Sequence, residues 1–592
     1  MPGPGDRGGA KQKPKDARKT LRRLLKYMLE YAWIVFLLLI CAFASNIGNL
    51  LGPDFAGKAI TAASEGKGNV DMHIVVHYGL LMLAVYVGSN LLSFLVNIGM
   101  MHVGRYVARN MRRDVFNKLM KLPVSYFDKH LAGDIISRVS YDIDVVSTSL
   151  SSDVVQILTS IVTVVGSFTM MCMISVPLVF CMAFTIPVSV LFTGYMSKKT
   201  RPLYRVRSLA YGEMNGFAEE MFTGQKTILA YAHEDYVCDR FEEINRNAAE
   251  AYRDADGLGM TMGPTIGLIN NIGLSAIGLG GALLYMNSVV GIGQISSFIL
   301  YSRKFSGPIN EISNIINEIF SALAAAERVF QLLDEIEEVK DKEGAAILTQ
   351  ANGLVEARNV EFGYKKNRII IHDFNMLAKP GETVAIVGHT GAGKTTIINL
   401  LMRFYDPQNG MIYVDDNEAV SYTMKSLRKN YSMVLQDTWV FNGTIFDNIA
   451  YGKENASMEE VAEAAKAAHI HNYIMKLPQG YSTVISEDGG NISKGQKQLI
   501  TIARAMLYDT SMLILDEATS NVDTATERKV QAAMRTLMVG KTCFIIAHRL
   551  STIRNADNIL VMDNGDVVEQ GSHDELMKKQ GAYYRLYASQ FE

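Results

Sequence analysis

The chain has 592 residues, 48% of them hydrophobic, and its 58 basic and 60 acidic side chains leave a net charge of −2. That balance excludes a polyanion-coating role and predicts no nucleic-acid partner. The five cysteines (Cys41, Cys172, Cys181, Cys238 and Cys543) are far apart and in no metal-ligand spacing, which argues against a disulfide scaffold or a zinc module.

In chain order, a tail over about residues 1–20, rich in Gly, Pro and Lys, reads as disordered and as a membrane-surface tether at most. Six apolar runs long enough to cross a lipid bilayer follow, at about 32–52, 73–101, 152–172, 174–196, 258–286 and 291–320. Lys and Arg cluster before the first run, after the second (Arg105 to Lys121) and after the fourth (Lys198 to Arg207). By the positive-inside rule those segments face the cytoplasm, and an even number of spans leaves both termini there. The connections at about 102–151 and 197–257 keep a helical alternation of apolar and charged residues, so helices should continue beyond the bilayer. Their tips are expected near Ser125 to His130 and near Ser208 to Gly216.

After the charged stretch Glu335 to Lys342 the composition becomes that of a soluble domain. Three Val/Ile/Leu-rich runs, Thr383 to Gly388, Met512 to Glu517 and Thr542 to His548, read as buried parallel strands of an α/β sheet. The first leads into GHTGAGKT, a GxxxxGK[ST] phosphate loop with a strand before it and a helical stretch after it. Its candidate ATP-binding residues are Gly388, Thr390, Gly391, Ala392, Gly393, Lys394, Thr395 and Thr396. Glycines let backbone amides wrap phosphates, Lys394 reaches the β and γ phosphates, and the Thr395 hydroxyl can ligate Mg2+. The second strand ends in Asp516 and Glu517, where Asp516 can hold magnesium through water and Glu517 can polarise the attacking water as general base.

A phosphate loop alone leaves kinases, GTPases and motors open. Ile492-Ser493-Lys494-Gly495-Gln496, followed by KQLITIARAML and the acidic strand, resembles the signature segment of the ABC transporter ATPases. From about residue 20 to 592 the chain looks like an ABC exporter half-transporter, and SYFDKHLAGDIISRVSYDID, Ser125 to Asp144, resembles the first coupling region of exporters. The resemblance implies that Tyr364 stacks on adenine, that Gln436 is the Q-loop glutamine and a magnesium ligand, that Asp523 is the D-loop aspartate and that His548 is the switch histidine. It also implies that Ser493, Lys494, Gly495 and Gln496 face the ATP held by a partner chain, so that the protein must dimerise.

Two departures from the usual LSGGQ signature bear on that partner: Ile492 replaces Leu and Lys494 replaces the first Gly. Together with YSRKFSGPINEISN, Tyr301 to Asn314, they make the chain look like the catalytic-Glu chain of bacterial heterodimeric multidrug exporters, and favour a heterodimer over a homodimer. The sixth span carries Arg303, Lys304, Glu311 and Glu318, and Asn310, Asn314, Asn317 and Ser321 form one helical stripe along it. One reading makes Arg303, Lys304, Asn310, Asn314 and Asn317 a polar wall of a translocation pathway; the other makes them helix packing or salt bridging between subunits.

The expected architecture is therefore multidomain: an all-α polytopic membrane domain at 21–330, a linker at 331–350, and an α/β P-loop ATPase domain at 351–592. The expected function is ATP-driven export of a hydrophobic or amphipathic substrate across the cytoplasmic membrane, with ATP and Mg2+ as cofactors and catalysis by Glu517 and His548. Drugs, lipids and peptides all suit the spans. An ATP-gated regulator or channel with weak hydrolysis is the alternative.

Overall fold

The computed structural model describes residues 16–64, 70–183, 185–365, 367–435, 438–486, 492–516, 523–547 and 553–589. Two compact units emerge, one of Met1–Leu122 with His130–Ile336 and one of Pro123–Lys129 with Glu337–Glu592.

The described part of the first unit is helical. It contains α1 (Ala17–Leu29), α2 (Ala32–Ala63) and α3 (Met72–Leu119). After α4 (Val124–Lys129), which belongs to the second unit, come α5 (Ala132–Ser137), a π-helical turn at Arg138–Asp142 and α6 (Ile143–Ile174). The remainder is α7 (Val176–Ala183), α8 (Thr185–Thr223), α9 (Gln225–Ala230), α10 (Glu234–Met260), α11 (Met262–Met286) and α12 (Ile292–Asp334). Among the described residues, five helical stretches, starting at Ala32, Met72, Ala132, Val176 and Glu234, are long and apolar enough to cross a membrane. The sixth expected span, α12, is one unbroken helix of 43 residues, but Arg303, Lys304 and its Ser and Asn content lower its hydropathy below that of the other five.

Helix α3, with 48 residues, is about 72 Å long at 1.5 Å per residue, far beyond a hydrocarbon core of about 30 Å. Asp71 starts it by accepting from Ile74 N at 3.1 Å. The chain continues after α4 in the helical stretch α5 to α6, so the first break falls at the expected tip. The second tip is not at Ser208 to Gly216. Helix α8 runs straight through that stretch, and the chain reverses at Gly224–His233, around α9. Two cross-helix contacts fix the reversal: Arg207 pairs with Asp256 at 2.6 Å, and the Phe217 and Phe241 rings stack at 6.4 Å. Both are centred near residue 230. Gly212 and Gly216 lie inside α8, and Gly224 stands between α8 and α9.

Helices α2 and α12 meet through a backbone defect. Pro53 lies inside α2 and has no N–H, so the carbonyl four residues earlier, that of Asn49, lacks its helical donor. Lys304 Nζ donates to that oxygen at 2.8 Å. On the same face of α12, Tyr301 Oη donates to Leu50 O at 2.6 Å and Ser297 Oγ to Pro53 O at 2.7 Å. The positions 297, 301 and 304 recur at i, i+4 and i+7, one stripe of a helix. Close approach needs small residues here: a Cβ on Gly293 would sit 2.0 Å from Gly57 O. Of the two readings of Lys304, helix packing is the one its contact supports, within the chain rather than between subunits.

In the second unit, β1 (Val355–Phe362) and β2 (Ile371–Ala378) pair antiparallel and lead to β3 (Thr383–Gly388), which is followed by α13 (Lys394–Leu401). Strands β4 (Asn409–Val414) and β5 (Asn417–Glu418) extend the first sheet to the order β2-β1-β4-β5. Next come α14 (Met424–Lys429), β6 (Tyr431–Val434), β7 (Gly443–Thr444), α15 (Ile445–Ala450), α16 (Met458–Ala467), α17 (His471–Ile474) and β8 (Val484–Ile485). Helix α18 (Lys494–Tyr508), β9 (Met512–Asp516), α19 (Thr524–Met538), β10 (Thr542–Ile546), β11 (Asn558–Asp563) and β12 (Asp566–Gly571) complete the core. The second sheet has the order β12-β11-β3-β10-β9-β6, parallel except for β12.

This sheet is buried on both faces, which is why its strands are continuous apolar runs rather than alternating ones. Val384, Ile386, Ile514 and Ile546 pack with Ile397 and Leu401 of α13. Their neighbours Ala385, Val387, Leu513, Leu515 and Ile545 face Leu499 and Ile502 of α18 and Val530 and Leu537 of α19. Burying each such side chain is worth about 1.5–3 kcal/mol relative to exposure.

Candidate active site

Register places three chain ends side by side. Ile546, the last residue of β10, pairs with Ile386 of β3 on one side and with Asp516 of β9 on the other. The glycine loop leaving β3, the acid ending β9 and the residue after β10, Ala547, therefore share one edge of the sheet. In an open parallel sheet that carboxyl edge is where ligands bind.

The loop itself has the shape that phosphate binding needs. Gly393, immediately before α13, has φ of 101°, and α13 has no side-chain cap on its N-terminus. Its first amides are left for an external acceptor, with the helix dipole adding positive potential. At Gly388 a Cβ would lie 2.3 Å from Met562 O, so only glycine allows the loop to leave the strand there. Lys394 is 8% exposed and its Nζ donates to Gly388 O at 2.8 Å and His389 O at 3.0 Å, curled back over the loop. Burial holds its ammonium below the ordinary lysine value, and the Asp516 carboxylate opposes that shift. A lysine held by two neutral carbonyls in its own loop is available to an anion with greater charge. Thr395 is exposed and Ala392 and Thr396 are buried. Thr390 and Gly391 are also exposed.

Gly393→Ala forces a residue with a Cβ into the left-handed region at about 1–2 kcal/mol. Nucleotide affinity in that variant is expected to fall at least about tenfold, measured by equilibrium binding of a fluorescent ATP analogue.

Tyr364 is 41% exposed and anchored at its hydroxyl, which lies 3.3 Å from Thr396 Oγ1 and accepts from Asn399 Nδ2 at 3.1 Å. Its ring is perpendicular to those of Phe362 and Tyr405, with centroids 5.1 and 5.0 Å away. Tyr405 was not singled out in the sequence. Its hydroxyl donates to Asp128 Oδ2 in α4 at 2.5 Å, so one aromatic cluster joins the phosphate-loop helix to the segment that resembles a coupling region. Burial, with the Asp128 carboxylate adding to it, raises the Tyr405 phenol and keeps it a donor. The signal that could have found it is RFYDP directly after α13, an aromatic pair next to a helix end.

Ser493 is the N-cap of α18. A reciprocal capping box holds it: Gln496 N donates to Ser493 Oγ at 3.3 Å and Ser493 N donates to Gln496 Oε1 at 2.8 Å. Ile492 is buried in the core with Leu499, so the Leu-to-Ile departure keeps the packing. Lys494 is exposed at the first position of the helix and Gly495 is buried. Asp523 caps α19, accepting from Thr526 N at 3.0 Å, and that bond holds its carboxyl below the usual range.

Gln436, Glu517 and His548 lie outside the described residues, as do the side chains of Asn310 and Asn314. Asn317 is exposed, and its carbonyl accepts from Ser321 Oγ at 2.9 Å. Arg303 is exposed and lines a cavity between α11 and α12.

Residues 35–309 match the family model described as the ABC transporter transmembrane region, and residues 371–520 the one described as ABC transporter. An uncharacterized ABC transporter ATP-binding protein of Bacillus subtilis is 41% identical over 586 residues, 99% of this chain and 96% of the relative. A fatty acid ABC transporter ATP-binding/permease protein of Mycobacterium bovis is 44% identical over 476 residues, 80% of this chain and 75% of that protein. The solved structure of a bacterial Atm1-family ABC exporter with ATP bound superposes with a TM-score of 0.74 at 28% identity, covering 97% of this chain and 99% of that one. The chain belongs to the ABC transporter family, with a helical membrane domain followed by a nucleotide-binding α/β domain on one polypeptide. It is an ATP hydrolase coupled to transmembrane transport, of the exporter type, and is embedded in the membrane.

Proposed function

We propose that this protein is one half of a heterodimeric exporter that moves an amphipathic substrate out of a bacterial cytoplasm by alternating access. The observation that carries the reading is the shared sheet edge, where the phosphate loop, Asp516 and the end of β10 stand next to one another in a chain whose other unit is membrane-embedded. In this reading the membrane domain spans about 21–330, the nucleotide-binding domain about 351–592, and both termini are cytoplasmic.

The loop Gly388 to Thr395 with Thr396 binds the triphosphate, Tyr364 stacks on adenine, and magnesium arrives with ATP and is held by Thr395, Asp516 and Gln436. Glu517 activates water, His548 donates to the γ-phosphate, and Ser493 to Gln496 with Asp523 complete the site of the partner chain. Lys494 in place of a signature glycine supports unequal sites and hence a heterodimer. The amphipathic cargo is supported by the fatty acid transporter among its relatives. The ATP-gated channel reading is not favoured by any of these relatives.

Native mass spectrometry of the complex, purified from its own membranes through a tag on this chain, tests the assembly. A second polypeptide of different mass is the expected result; two 65.5 kDa chains overturn the heterodimer. ATP-dependent uptake of a fluorescent amphiphile into inverted vesicles tests the transport reading.

A further inference from the structure

The adjacent cations of α12 have different surroundings. Lys304 is bonded to the carbonyl left without a donor by Pro53, and half-buried. Arg303 instead lines a cavity of about 290 Å3 between α11 and α12, shared with Asn270, Asn271 and Leu274 of α11 and with Ser302 and Ser306 of α12. Gly267 and Gly307 border it, and a Cβ at either would meet nothing within 4 Å, so these two glycines leave the space open.

Among the described residues, the side chains of Arg303, Asn270 and Asn271 make no hydrogen bond and no ion pair. Ser306 Oγ already donates to Ser302 O at 3.1 Å. Arg303 stands eleven residues into α12, about 16 Å along it, within the stretch 291–320 expected to span the membrane. An arginine within a membrane span is costly unless it faces a cavity, a carbonyl or an anion, and membrane-buried Asn normally pairs. Among the described residues, the cavity wall offers guanidinium and amide N–H donors and no carboxylate. What completes it is a ligand with at least two acceptor oxygens and a negative charge. The cavity is smaller than or at the lower end of drug-sized sites, so it holds a headgroup rather than a whole amphiphile. Leu268, Ile272 and Leu300, exposed on the same two helices, leave apolar surface for a tail.

We propose that Arg303, with Asn270 and Asn271, binds the anionic headgroup, carboxylate or phosphate, of an amphiphile carried by this transporter. The assignment rests on the reading of an amphipathic cargo, and narrows that cargo to anions. Lys304 is no part of the site, and the two charges that look equivalent in the sequence have separate functions.

The test uses the complete transporter in nanodiscs without nucleotide, titrated with oleate, dodecyl phosphate and oleyl alcohol. Arg303→Gln is expected to weaken binding of at least one of the two anions about tenfold or more while leaving oleyl alcohol within about twofold. Arg303→Lys, which keeps the charge, should restore most of the loss. The anion that binds and is lost identifies the headgroup. Equal weakening of oleate and oleyl alcohol would make Arg303 a packing residue, and unchanged binding of both anions would remove it from any site. Dissociation of the complex in Arg303→Gln, seen by native mass spectrometry, would place the counter-charge on the partner subunit and overturn the proposal. Because these titrations need no hydrolysis, they stand apart from the transport reading: wild-type vesicles that accumulate none of the three probes with ATP would count against amphiphile export, not against the anion site.

Discussion

Steady-state ATP hydrolysis should fall by about 10²–10⁴-fold in Glu517→Gln, with ATP affinity within about twofold of wild type. The size follows from the role proposed for the carboxylate. A general base contributes in the transition state only, so its loss lowers kcat without weakening the ground-state complex. Binding is left alone because the phosphates are held elsewhere, by the amides before α13 and by Lys394. The strand register supports the assignment: Asp516 pairs with Ile546 at the sheet edge that also carries the phosphate loop, and Glu517 is the next residue. The variant should accumulate the nucleotide-bound closed dimer, visible as ATP that co-purifies after gel filtration. Phosphate release undiminished in the variant would take Glu517 out of the base role and leave His548 or the partner chain's groups to supply it.

The strands of the nucleotide-binding unit were legible because burial on both faces writes itself as an unbroken apolar run. Thr383 to Gly388 matches β3 residue for residue, and Met512 and Thr542 are the first residues of β9 and β10. The phosphate loop was equally legible, since its glycines answer to local backbone demands. Long-range contacts were not. Lys304 and Asn49 are 255 residues apart, and the reason for their bond is a proline in another helix, a cause that no periodicity in α12 expresses. Tyr405 and Asp128, 277 residues apart, are hidden in the same way. The second helical tip lies later than the pattern predicts because a helical pattern shows where a helix can continue, while its end depends on the reversal at Gly224–His233 and on the pairing of α8 with α10. The anion cavity was half legible: Arg303 stood out as a charge in a membrane span, but Asn270 and Asn271 share its wall only because α11 and α12 pack in that register.

The second large effect is expected at the π-helical turn. Arg328 of α12 binds Asp142 in bidentate fashion, with Nε donating to Oδ2 at 2.9 Å and Nη2 to Oδ1 at 2.5 Å. The Asp142 side chain is 4% exposed, whereas that of Arg328 is 42% exposed. The asymmetry decides which substitution hurts. Removing the arginine leaves a carboxylate buried without its partner, at a cost of about 3–5 kcal/mol, while the arginine alone can turn to water. Arg328→Ala should therefore destabilise the membrane unit strongly, and Asp142→Asn, which leaves a neutral hydrogen-bonding group in place, considerably less. Arg328→Lys should fall between them, because a lysine keeps the charge but not the planar two-pronged donor. The double variant Asp142→Asn with Arg328→Gln removes both charges at once and should recover most of what Arg328→Ala loses. Thermal unfolding in detergent reads the two units separately when it is followed by a thiol-reactive dye at the buried Cys543, in a background with Cys41, Cys172, Cys181 and Cys238 replaced by Ala, and by loss of the monodisperse peak. The π-helical turn is what brings Asp142 to this position, since its extra residue shifts the side chains that follow relative to those of α5. An Arg328→Ala protein as stable as wild type would mean that the carboxylate is neutral or hydrated in place, and that the turn serves some end other than this ion pair.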